Sequence, residues 1–287
     1  MATEGDAPFA KVPQGTSDAA PLVNPQAGLA HDHLCRDPVA FDMPPAPKVL
    51  SVTTATEMTE LYWMAVLRDV SFEGFTTAEG VSDAASDISE KFSMAVADNT
   101  DPGRLRPGVD VPGSAANLSQ ITGQNIFRLG LPGEDVGPMV SQFFIRDVNF
   151  ETQTINQRQR PYTKGKNYLT KFDEWFKAQE SGNGVDGKAY PDANTVMAEY
   201  YEPESSSRYI STMRDLARFV NKDALHQAYF NATLLLLSGK AAWTPGNPYG
   251  STLTREAGFG TLGGPHILAL VSEVATRALK IVWNQKW

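Results

Sequence analysis

The sequence predicts an all-α protein with long loops. Apolar residues recur at helical spacing in several windows, while strand-like alternation is scarce. Gly and Pro, 23 and 19 residues, gather between those windows, where they serve turns and caps. With 287 residues and 41% apolar content, the chain is long enough to bury a sizeable core.

Composition removes several function classes. Lys and Arg total 25 against 33 Asp and Glu, a net charge of −8, which disfavours phosphate-backbone binding and sets nucleic acid aside as a partner. Apolar runs such as Ala232 to Leu237 and Ile267 to Val271 stop well short of the about 18 residues that a bilayer span needs. Met1 to Asp6 has neither the basic start nor the apolar core of a secretory leader, so a soluble chain is expected, with its compartment left open. The one cysteine, Cys35, permits no intrachain disulfide and no cysteine-built zinc site.

The first 47 residues hold Pro8, Pro13, Pro21, Pro25, Pro38, Pro44, Pro45 and Pro47, which remove backbone donors and break helices. Residues 1–47 therefore read as an extended arm ahead of a helical body, 48–287. Apolar beads at Phe9, Leu22, Val23, Leu29 and Phe41 suit an arm laid across a surface, its own or a neighbouring subunit's.

Thr54 to Val70 sets Met58, Leu61, Tyr62 and Ala65 on one face of an amphipathic helix, with Thr54 or Thr56 as N-cap. Ser82 to Ala97 repeats the pattern weakly, and Asp101 to Gly113 interrupts it as a loop. Gly137-Pro138 opens a helical window from Met139 to Val148. Asn167 to Gln179 carries Tyr168, Phe172, Trp175 and Phe176 on one face, and Arg208 to Leu237 reads as one bent helix or two consecutive ones. No internal repeat is present.

Several local motifs are weak for physical reasons. His31-Asp32-His33-Leu34-Cys35 strings ligand types along an extended arm without forming a cage. Gly258-Phe259-Gly260-Thr261-Leu262-Gly263 has dinucleotide-type spacing, but the polar stretch Asn247 to Ala257 stands where a strand is required. The turn Gly130 to Gly137 carries Glu134 and Asp135, which repel a phosphate. His226 lacks a histidine at i+4 and reads as a hydrogen-bonded helix residue. The triplets at Asn117 and Asn231 match the glycosylation pattern, but without a leader they would not meet the machinery.

The last segment is the most informative. Gly263-Gly264-Pro265 starts a helix that runs without a breaker from Ile267 to Trp287. At about 100° per residue, Leu268, Ala275, Leu279 and Val282 lie within about 40° of Lys286, so that lysine continues the apolar stripe expected to face the core. An ammonium in that position either snorkels to solvent or meets an anion. The pattern has no C-terminal signal, which reads as a polypeptide cut in mid-helix.

Four stretches in order resemble the vanadium-dependent haloperoxidases, in their bacterial and algal bromoperoxidase branch. They are Pro21 to Leu29, Glu57 to Val70 (EMTELYWMAVLRDV), Phe127 to Phe144 (FRLGLPGEDVGPMVSQFF) and Gly258 to Trp287. The resemblance implies a mostly helical enzyme that holds vanadate and uses hydrogen peroxide to oxidise bromide or iodide to a hypohalous species, which halogenates an organic acceptor. It also implies a homo-oligomer formed through the helical body and the arm.

Residue by residue, the resemblance makes Lys286, in the Lys286-Trp287 pair, the first vanadate-pocket residue. It makes Trp283 a wall of the halide side, beside its plainer reading as a packing aromatic. The other pocket residues of the family, including the vanadium-ligating histidine, would lie beyond Trp287, so the chain alone is expected not to turn over and to hold no metal ligand. Calcium is not expected, since Asn247 to Gly258 offers Glu256 as its single acid. Two rivals remain at this level: a phosphate-ester hydrolase built on the same oxyanion pocket, and a non-catalytic assembly partner of a full-length homologue.

Overall fold

The computed structural model describes residues 46–97, 121–128, 134, 139–190, 200–249 and 256–286. Among them are six α-helices: α1 (Val52–Val66), α2 (Val81–Ala97), α3 (Phe172–Ser181), α4 (Met213–Lys222), α5 (Gln227–Ser238) and α6 (Gly264–Lys286). One two-stranded antiparallel hairpin, β1 (Val148–Phe150) with β2 (Gln153–Ile155), completes the regular structure, in the register Val148 to Ile155. The described residues fall into two compact units, one of Gly165–Tyr201 and Phe259–Trp287, the other of Ala46–Lys164 and Glu202–Gly258.

The larger unit is organised by α2. Val81, Ala84, Ala85, Ile88, Phe92 and Ala95 recur at i, i+3, i+4, i+7, i+11 and i+14 and are all buried. Against them pack Leu67, Phe75, Ile121 and Ile126. Close approach is needed where Gly123 meets Thr76, because a Cβ at 123 would lie 2.3 Å from the Thr76 carbonyl oxygen.

Helix α1 starts one turn earlier than the sequence suggests, capped by Ser51, whose hydroxyl accepts from Thr54 N–H at 3.2 Å. The expected apolar face is not the buried one. Met58, Leu61, Tyr62 and Val66 are exposed, Thr53 and Thr56 are buried, and α1 meets α2 through Thr56 and Trp63. Small hydroxyl residues bring the helices together: the fully buried Thr56 Oγ1 lies 2.9 Å from Val52 O and 3.1 Å from Lys91 O on α2. Trp63 adds an indole N–H donated to Asp87 at 2.8 Å.

The expected helix over Met139 to Val148 is replaced, in the structure, by a single 3-10 turn, Gln142–Phe144, leading into β1. The reason is tertiary. The Gln157 side-chain amide donates to the carbonyls of Phe143 and, at 3.0 Å, of Arg146, supplying from outside the donors a helix would supply from within. The same strand exit gives Asp147 the Gln157 backbone N–H at 3.1 Å, which holds that carboxyl below the usual carboxylate range. The hairpin is seated on α5, where buried Asn231 donates to Gln157 Oε1 at 3.1 Å.

Arg208 to Leu237 resolves into α4 and α5, separated at Asp223 to His226, where Leu225 adopts φ 48°. Helix α4 is set by an electrostatic knot. Asp215, 1% exposed, accepts from Arg208 Nε and Nη2 at 3.1 and 3.2 Å and from the Ser211 N–H and hydroxyl at 3.1 Å each. Beside it, Arg214 forms a two-pronged pair with Asp69 at 2.6 and 2.7 Å, which raises the guanidinium above the usual arginine range.

In the smaller unit, α3 begins later than expected, at Phe172, because Leu169 takes φ 54° and Lys171 remains extended. Its aromatic face is intact, with Phe172 stacked on Phe176 at 5.7 Å, but it is exposed. The arm's residues up to Pro45, including His31 to Cys35, and the loop Asp101 to Gly113 lie outside the described residues.

The knot at Asp215 carries a stability prediction. Asp215→Ala leaves a guanidinium and two donors of the 208–211 turn without their acceptor, and the expected loss is about 2–4 kcal/mol. Urea unfolding measures it; a change under about 0.5 kcal/mol, the ordinary surface value, would remove Asp215 from this role.

Candidate functional site

The site residues read from the sequence sit on α6. Its start is built locally: Leu262 at φ 56° turns the chain, its N–H donates to His266 Nδ1 at 2.9 Å, and Ile267 N–H bonds Gly263 O at 3.0 Å. Pro265 stands in the first turn, where its missing N–H costs nothing. The glycine motif at 258–263 is therefore a helix entry; Phe259 and Leu262 bridge to each other, and no strand of the dinucleotide type precedes it among the described residues.

Along α6, Leu268, Ala275 and Leu279 are partly buried while Val282 is 50% exposed, so the stripe expected to face the core is only half covered. A second row, Leu270, Val274 and Val282, is exposed at multiples of four residues. Arg277 pairs with Glu273 at 2.6 Å across one turn. Trp283 lies near the end of the helix at 36% exposure, and Lys286 is the last helical residue. Three residues of α-helix place their backbones about 4.5 Å apart along the axis and about 60° apart around it. The Lys286 side chain and Trp287 lie outside the described residues.

Vanadate is an oxyanion, so the protein groups that suit it are cations and hydrogen-bond donors. Lys286 is of that kind, and among the described residues no group of three His, Cys, Asp or Glu side chains is placed to hold a metal ion. His226 precedes α5 at its N-cap, edge-on to Phe230 at 6.0 Å, as a packing residue does.

The structure also assembles a polar cavity that sequence reading missed. It has a volume of about 260 Å³ and belongs to the larger unit. Its cations are Lys164, Arg208 and Arg214, its carboxylates Asp69 and Glu202, and its hydroxyls Tyr162, Ser206 and Thr212. Arg214 is paired with Asp69 and Arg208 with Asp215. Glu202 is fixed by its carbonyl, which accepts from Arg160 Nε, and by Oε1, which accepts Lys164 N–H at 3.4 Å. The alternation Arg158, Arg160 ahead of Lys164 was the one available local signal, and it does not reveal the partners from 202–214.

No family model matches the sequence. The vanadium-dependent bromoperoxidase of Corallina officinalis is 31% identical over 297 aligned positions, covering 92% of this chain and 46% of the relative. That of Ascophyllum nodosum is 30% identical, covering 96% and 46%. Among solved structures, the homohexameric second vanadate-dependent bromoperoxidase of Ascophyllum nodosum superposes with a TM-score of 0.71 at 25% identity, over 96% of this chain and 42% of that one.

The chain thus has the vanadium haloperoxidase fold. Its homologues are vanadium-dependent bromoperoxidases, and it spans about half the length of the curated relatives it matches.

The exposed row on α6 predicts that the 287-residue chain binds a hydrophobic dye in its folded state, and that Leu270→Ser with Val274→Ser lowers the signal about twofold or more. A folded chain without dye fluorescence would show that this row is covered.

Proposed function

We propose that the chain is the N-terminal part of a bromoperoxidase-type vanadium haloperoxidase. The overall reaction is oxidation of bromide or iodide by hydrogen peroxide: halide, peroxide and one proton give hypohalous acid and water, and the hypohalous acid halogenates an organic acceptor. The observation that carries this is the alignment with bromoperoxidases across 92% of the chain, in which α6 ends on Lys286 with Trp283 one turn before.

Lys286 supplies a fixed positive charge to an oxyanion. In a water-poor pocket such a charge is worth far more than in bulk solvent, and it costs no reorganisation during the reaction. Vanadate, when bound, supplies the centre at which peroxide is activated. Trp283 presents an apolar ring on the same end of α6, which strips water from a halide and walls its approach. Residues 48–287 form the first part of the enzyme domain, and the 287-residue chain alone does not turn over.

The test uses the full product of the gene that encodes this sequence. It is expected to brominate a phenol dye with peroxide, bromide and vanadate, and Lys286→Ala is expected to weaken vanadate retention in equilibrium dialysis by about tenfold or more. Unchanged retention would take Lys286 out of the pocket; absence of vanadate-dependent bromination in the complete protein would remove the enzymatic reading.

The homohexamer among its structural neighbours and the exposed stripe Met58, Leu61, Tyr62 and Val66 on α1 support self-assembly, with the arm 1–47 reaching over a neighbouring copy. Light scattering is expected to give a mass above that of a monomer and Leu61→Asp with Tyr62→Asp to lower it. A monomer at every concentration would overturn this part.

A further inference from the structure

The polar cavity of the larger unit is distinct in chain position from Lys286 and Trp283, and its charges are unevenly used. Arg214 and Asp69 neutralise each other, as do Arg208 and Asp215. Lys164 and Glu202 remain. Neither makes an ion pair among the described residues, although both line the same cavity. Arg208 spends Nε and Nη2 on Asp215 and is 47% exposed, which leaves Nη1 available.

These charges choose between ligand classes. Counting Asp215 behind Arg208, the cavity holds three cations (Lys164, Arg208, Arg214) and three carboxylates (Asp69, Glu202, Asp215). A simple anion gains nothing from that sum and meets Glu202, within a chain whose net charge is already −8. A simple cation meets Lys164 in the same way. A ligand bearing both charges pairs each wall with its opposite. The volume of about 260 Å³ is below the range of drug-sized pockets, roughly 300–1,000 Å³, and suits a metabolite of a few heavy atoms.

We propose that this cavity binds a small zwitterion of the free α-amino acid class. The ligand carboxylate is received by the Lys164 ammonium and the Arg208 Nη1 edge, with the Ser206 and Thr212 hydroxyls beside them. The ligand ammonium is received by the Glu202 carboxylate. The site is preset: Thr212 caps α4 by accepting Asp215 N–H at 3.2 Å, and the Glu202 carbonyl is held by Arg160. Little ordering is left for the ligand to bring about.

The experiment titrates the 287-residue chain with L-alanine and with the two compounds left by removing its ammonium (propionate) or its carboxylate (ethylamine), following amide and Lys ζ resonances by NMR. L-alanine is expected to give saturable shifts around Lys164 and Ser206, with the two truncated analogues about tenfold weaker or more, since each lacks one charge-assisted contact. Lys164→Met and Glu202→Gln are each expected to weaken L-alanine about tenfold, with thermal melts confirming that both variants fold. The readout is binding, which needs neither vanadate nor turnover, so this result stands or falls apart from the haloperoxidase reading. Propionate binding as tightly as L-alanine would make this a plain anion site and overturn the proposal. So would the absence of saturable shifts at tens of millimolar, or folded variants that bind as the parent does.

Discussion

The buried carboxylate of Asp215 is the constraint on which the larger unit depends. A carboxylate at 1% exposure cannot be left with water as its partner, so the chain must bring donors to it. Arg208 and Ser211 come from the turn before α4, while its own carbonyl accepts Gln159 Nε2 at 2.6 Å. Gln159 in turn bridges to Arg208 along the backbone at 2.9 and 3.0 Å and accepts from Arg218 at 2.8 Å. One charge therefore fixes the register of the 157–161 strand-like stretch against α4. The adjoining Arg214 to Asp69 pair, with Arg214 N–H on Arg68 O at 2.9 Å, ties the exit of α1 to the same helix. The cavity exists because these ties hold three chain segments apart at fixed distances.

The two units are ordered by different physical logic. In the larger unit, polar groups are positioned by one another, and α1 joins the apolar core along α2 through the buried Thr56 hydroxyl as well as through Trp63. In the smaller unit, the start of α6 is set by its entry turn, and helical repeat sets the spacing of Trp283 and Lys286, the pair proposed above for halide and vanadate. Trp283 and Lys286 need no tertiary contact to sit on neighbouring faces of one turn.

Much of the fold was legible in the sequence, and the misses have specific causes. Helices α1, α2 and α6 follow from periodicity, which is local, although α1 is capped by Ser51 and by neither Thr54 nor Thr56. Which side of α1 is buried was not legible, because Thr53 and Thr56 read as polar, while the Thr56 hydroxyl is satisfied by carbonyls one turn back and on α2. The stretch from Met139 to Val148 has helical spacing, yet Gln157, well downstream, takes its carbonyls. Lys286 and Trp283 could be singled out because a resemblance supplied their context; the apolar stripe alone left Lys286 between solvent and an anion. The cavity was invisible for the opposite reason, since its residues come from around 69, 162–164, 202–208 and 212–214 and no spacing in the chain announces them.

The tie between Asp69 and Arg214 spans 145 residues of sequence, and that span has a consequence for how the protein is made. At ribosomal rates, the arginine follows its aspartate by about 7–29 s. During that interval α1 and α2 can meet, their contacts being local, but the segment 165–201 of the other unit emerges before the larger unit can close. In sequence, that segment is an insertion in the larger unit. A nascent chain halted before Arg214 therefore holds the α1–α2 hairpin without the ion pair that ties it to α4.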